Sequence, residues 1–125
     1  MSSESLHAPR ERLSEETLAL HHAIVSLMEE LDAIDWYRQR AEDSEDDGLK
    51  ALLRHNMREE MEHAAMLLEW LRRADDDFAR FLKTYLFRDG AILAAEAEAT
   101  AGGADDAVAG RDPNRAVTIG SLCPA

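Results

Sequence analysis

The chain has 125 residues, room for one small domain, and its 26 acidic against 14 basic side chains give a net charge of −12. That balance argues against nucleic acid and against an anionic membrane surface as partners. No apolar run reaches the roughly 18 residues of a membrane span, the N-terminus MSSESLHAPRERLSEE lacks the apolar core of a signal peptide, and the single cysteine, Cys123, has no partner for an intrachain disulfide, so a reducing, cytoplasmic setting is expected.

Residues 1–13 read as a polar arm. Helix signals begin at Pro9, tolerated in a first turn, or at Ser14, a good cap. From there to about Glu42 the chain has neither Gly nor Pro, and Leu20, Ala23, Ile24, Leu27, Leu31 and Ile34 recur at helical spacing. The run DSEDDG at 43–48 is a turn, with Ser44 and Asp47 spaced as a cap for the second helix. A link this short makes the two helices an antiparallel hairpin. The second helix is expected to end near Arg72 and Arg73, whose charges suit a helix C-terminus. Asp75, Asp76 and Asp77 then open a shorter third helix with Phe78, Phe81, Leu82, Tyr85 and Leu86 on one side, closed by Asp89 and Gly90. Residues 91–99 add a further helical piece, 100–112 have the Ala/Gly/Asp composition of a flexible linker, and 113–125 form a separate tail containing VTIGSL.

The chemistry comes from breaks in the apolar pattern. On helix two, steps of four and three trace Leu49, Leu53, Asn56, Glu60, His63, Leu67 and Trp70. Glu60 and His63 form a Glu-x-x-His pair, one turn apart on one face, in the middle of a stripe expected to be buried. On helix one the same steps trace Ala23, Leu27, Glu30, Ile34 and Tyr37, again with a carboxylate near the midpoint. Buried carboxylates are costly unless paired, and a cation is the natural partner for carboxylates and an imidazole on one face. Carboxylate-bridged di-iron sites in four-helix bundles take a Glu from each of two helices and a Glu-x-x-His from each of the other two. This chain carries half of that set, so two copies about a two-fold axis would complete both the bundle and the site. Carboxylate oxygens and imidazole suit iron.

Other polar residues have plainer readings. Glu29, Asp32 and Asp35 read as a solvated acidic face, with a cation-access patch as the alternative. His21 and His22 straddle the edge of helix one and read as ordinary surface or boundary residues, and His55 with Glu59 reads as an exposed pair on the face of Glu62, outside the stripe. Trp36 and Trp70 read as packing residues; Tyr37 either packs or supports the site.

The segments HHAIVSLMEELDAIDWYRQR, HNMREEMEHAAMLLEWLRR and FLKTYLF resemble the encapsulated ferritins, short ferritin-like proteins carried as cargo inside encapsulin nanocompartments. The resemblance spans about residues 15–95 and the tail. It implies an all-α fold in which hairpins with a short C-terminal helix dimerise into a ferritin-like four-helix bundle, and dimers assemble into a decameric ring of five. It implies a ferroxidase centre taking Fe(II) to Fe(III), with Glu30, Glu60 and His63 of each chain as ligands and Tyr37 beside them. Glu29 and Asp32, with Trp36 close by, match an acidic metal-access site, although Asp32 stands where the family carries a glutamate. The tail resembles the peptide by which cargo docks inside the encapsulin shell, with Val117, Ile119 and Leu122 as apolar anchors. Rival readings are a rubrerythrin-like peroxidase, which would hold four helices in one chain, a His-rich hemerythrin-like oxygen binder, and a non-enzymatic helical adaptor whose core polar residues set register.

Overall fold

A computed structural model of the chain describes residues 5–102. These residues are helical, without strands, in the order α1 (Glu15–Asp43), α2 (Asp47–Ala74), α3 (Asp76–Tyr85) and α4 (Ile92–Gly102), preceded by a 3₁₀ turn at Arg10–Arg12. The chain divides into two compact units, Met1–Leu71 and Arg72–Ala125.

In the first unit, Pro9 opens only the 3₁₀ turn, and α1 starts at Ser14, whose hydroxyl accepts the Thr17 N–H at 3.1 Å. Twenty-nine residues without Gly or Pro carry α1 to Asp43. The next cap differs from expectation. Asp46, not Ser44, caps α2: its Oδ1 accepts the Leu49 N–H at 2.9 Å, while Ser44 folds onto the backbone of Asp46 at 3.3 Å. A carboxylate accepts this hydrogen bond more strongly than a hydroxyl and suits the positive end of the helix. Glu30 and Glu60 stand equally far along the chain from Glu45 and meet across the unit, so α1 and α2 run antiparallel.

Burial departs from the sequence expectation. Among the described residues only Ala23, Ala41, Ala64 and Leu71 are buried. The stripe on α2 is half-buried at Leu53, Asn56, Glu60, Leu67 and Trp70, and open at Leu49 and His63. On α1, Ile24 and Leu31 are exposed. A helix pair has a single mutual contact, so the flank of each apolar stripe turned away from the other helix stays in solvent. Leu49, Leu52 and Met66 are exposed on α2, and four-three steps place them on one line with Asn56, Glu59 and His63.

In the second unit, Asp75 caps α3 by accepting the Phe78 N–H at 2.9 Å. The helix closes at Leu86, earlier than the expected Asp89–Gly90, because Phe87 turns the backbone left-handed at φ 59°. Gly90 makes the second such turn at φ 95°. The chain then enters α4, which packs against α3 and runs past residue 99 into the stretch expected to be linker. Arg88 reaches Glu98 of α4 at 3.7 Å. No helix among the described residues is long and apolar enough to cross a membrane. The tail, with Val117, Ile119, Leu122 and Cys123, lies outside the described residues.

Candidate metal centre

Glu60 and His63 stand one turn apart on α2, and the antiparallel hairpin brings Glu30 of α1 opposite them. His63 Nδ1 lies 3.3 Å from Glu60 Oε2 and 3.6 Å from Glu30 Oε2. Ligand atoms of all three residues fall within 4.8 Å of one another. The side chains of Glu30 and Glu60 are each 24% exposed and that of His63 is 47% exposed, so the cluster lies half-open on the face of the hairpin rather than in a core.

The electrostatics follow from crowding two carboxylates against one imidazole. The hydrogen bond with Glu60 is the main cause that raises Glu30 above the ordinary carboxylate range, with partial burial adding to it. The same hydrogen bond lowers Glu60, helped by His63. The two carboxylates are therefore pushed in opposite directions, so that of the pair Glu30 is the one that more readily takes up a proton. His63 is raised, first by its hydrogen bond to Glu60 and then by the charges of Glu30 and Glu60. Two hard carboxylates and an imidazole fit Fe(II) by donor chemistry.

The remaining candidates are not among the three residues whose donors converge. Glu29, Asp32 and Asp35 are exposed on α1. Tyr37 is half-buried, and Trp36, 52% exposed, does not pack as a core residue; with Gln39 and Arg40 it lines an open groove of about 190 Å³. Trp70 is half-buried. His55 and Glu59 form an exposed pair at 3.6 Å, and the rings of His21 and His22 sit 5.7 Å apart in a tilted arrangement. Sequence reasoning passed over Arg40, whose guanidinium lies over the rings of both Trp36 and Tyr37. The spacing of three and four residues between the aromatics and Arg40 was the available signal.

An antiparallel helix pair with a Glu on one helix and a Glu-x-x-His on the other is the repeating half of a ferritin-like carboxylate protein. The EncFtn-like family model matches residues 5–89. The chain is 59% identical over 101 residues to the encapsulated ferritin-like protein of Rhodospirillum rubrum, covering 81% of this chain and 72% of that one. It is 42% identical to a ferritin-like protein of Thermotoga maritima, over 83% of this chain and 90% of that one. It is 35% identical to an encapsulin nanocompartment cargo protein of Myxococcus xanthus, over 74% and 75%. A crystal structure of a Nitrosomonas europaea protein, 52% identical, superposes with a TM-score of 0.69 over 71% of this chain and 98% of that one. The chain belongs to the EncFtn-like family of ferritin-like helical proteins.

Proposed function

We propose that the chain is a ferroxidase that takes Fe(II) as its substrate at Glu30, Glu60 and His63, with a second set of the same residues supplied by another copy. The observation that carries this reading is the setting of the cluster. Three convergent metal-type donors stand half-open in line with exposed Leu49, Leu52 and Met66. Exposed apolar side chains on either side of a charged cluster suit a surface that closes on a second copy and shuts cations inside. Two copies bring four glutamates and two histidines, the complement of a carboxylate-bridged di-iron site. The redox balance is simple. Two Fe(II) give up one electron each; dioxygen takes both with two protons to become hydrogen peroxide, or hydrogen peroxide takes them with two protons to become water.

Around this centre, Glu29 and Asp32 beside Trp36 are read as the access path for cations, and Tyr37 as a residue flanking the site. Relatives named for encapsulation support a place inside an encapsulin nanocompartment in the cytoplasm, with the VTIGSL tail as the docking peptide and the shell as the store for Fe(III). The resemblance to the family supports a ring of five dimers. Anaerobic Fe(II) loading followed by admission of oxygen tests the assignment. Glu30→Ala, Glu60→Ala and His63→Ala are each expected to remove most of the catalysed appearance of Fe(III). Wild-type rates in all three, above the uncatalysed background, would overturn it and favour the adaptor reading.

A further inference from the structure

Arg40 sits in the last turn of α1, on a chain with a large excess of carboxylates. Among the described residues it has no ion pair. Its guanidinium carbon stands instead 5.9 Å from the ring centroid of Trp36 and 5.8 Å from that of Tyr37. Both distances are within the reach of cation–π attraction. One helical turn lays a single cation over two oxidisable rings, because Trp36 precedes Arg40 by four residues and Tyr37 by three. Tyr37 lies two turns beyond Glu30 on the same helix, about 10 Å along the axis.

We propose that Arg40 is a positioning residue that protects Trp36 and Tyr37 from one-electron oxidation. A guanidinium over an aromatic face is attracted to the electron-rich ring. Removing an electron from that ring leaves a radical cation, and the attraction becomes a repulsion between like charges. The reduced ring is stabilised and the oxidised ring is destabilised by the same contact. The need for such protection rests on the ferroxidase reading. Where Fe(II) meets hydrogen peroxide, Fe(II) gives one electron, and hydroxide, hydroxyl radical and Fe(III) result. The radical takes an electron from a nearby ring to become hydroxide, and the ring then loses a proton to water. The geometry of Arg40 stands whether or not iron is turned over.

The test uses the full chain and the azide radical, a neutral one-electron oxidant that needs no iron. It takes an electron from indole and becomes azide ion, while the indole proton leaves to water. Oxidised Trp36 is measured by peptide mass mapping relative to oxidised Trp70, the internal reference. Arg40→Gln and Arg40→Met are expected to raise that ratio roughly two- to fivefold. Arg40→Lys, which keeps the charge but loses the planar fork, is expected to fall between wild type and Met. Methionine covers the rings without charge, so a wild-type ratio in Arg40→Met would show that cover, not charge, protects them, and would overturn the proposal. A lysine variant as oxidised as the methionine variant would overturn it equally. Repeating the measurement during Fe(II) oxidation with hydrogen peroxide gives the same order if iron is turned over. Failure of that arm alone would show that one-electron peroxide chemistry does not reach Trp36 during iron oxidation, and leaves the role of Arg40 decided by the azide arm.

Discussion

Leu52→Ala tests whether the open line on α2 is a mating surface. Leu52 is 55% exposed in the single chain. Full burial of a leucine contributes about 1.5–3 kcal/mol, so covering the exposed half contributes about 1 kcal/mol. A two-fold axis counts the residue twice, and about 2 kcal/mol corresponds to roughly a 30-fold weaker dimer. The measurement is sedimentation of wild type and variant over a dilution series, metal-free and then with Fe(II) under anaerobic conditions. Because Leu52 has little to lose within its own hairpin, its helical content should stay that of the wild type. Fe(II) shared between two chains should tighten both dimers, since a ligand that binds only the associated state shifts the equilibrium by mass action. A Leu52→Ala chain that stays helical and dissociates at the wild-type concentration would refute the reasoning, because the exposed apolar line would then have no partner on a second copy.

Three further outcomes are expected. His63 is raised above its ordinary 6.5 by Glu60, so its stabilising contribution is fully present below that value and is lost as pH rises through the raised one. The Tm of the metal-free chain should therefore fall across that window, the His63→Ala chain should show no such step, and Fe(II) affinity should move the opposite way as protons leave the ligands. Asp46→Ala should cost about 1 kcal/mol of thermal stability, and Ser44→Ala clearly less, because Asp46 holds the N-terminus of α2; equal losses in calorimetry would contradict the assignment of the cap. Removing residues 113–125 should leave helical content and iron oxidation unchanged but prevent loading into a co-expressed encapsulin shell, with co-purification as the readout; undiminished loading would strip VTIGSL of its docking role.

The helices were legible because long stretches without Gly or Pro leave few alternatives, and because Ser14 and Asp75 are strong caps at clean boundaries. The cluster was legible because Glu30, Glu60 and His63 each interrupt an apolar stripe. Other features escaped for identifiable reasons. Between Ser44 and Asp46 two capable caps compete, and only the backbone path decides which reaches an amide. The end of α3 was hidden because a phenylalanine takes a left-handed backbone that the sequence assigns more naturally to glycine. The exposure of the stripe is not legible in the sequence, because periodicity tells which side of a helix is apolar but not how many neighbours cover it. A hairpin covers only part. Arg40 was missed since a cation beside aromatics on a helix end reads equally well as a complement to the helix dipole.

Among the described residues, three of the four buried side chains are alanines: Ala23 and Ala41 on α1, and Ala64 on α2 next to His63 in sequence. Axes of packed helices lie about 8–10 Å apart according to the residues at the contact, and alanines set the narrow end of that range. Alanines at such a contact would act as gauge blocks for the gap that Glu30 and His63 span at 3.6 Å. A bulkier residue at position 64 would widen the hairpin and part Glu30 from Glu60 and His63 while changing none of the three donor residues. Selectivity among metal ions of different size would then be written partly in methyl groups that never meet a metal.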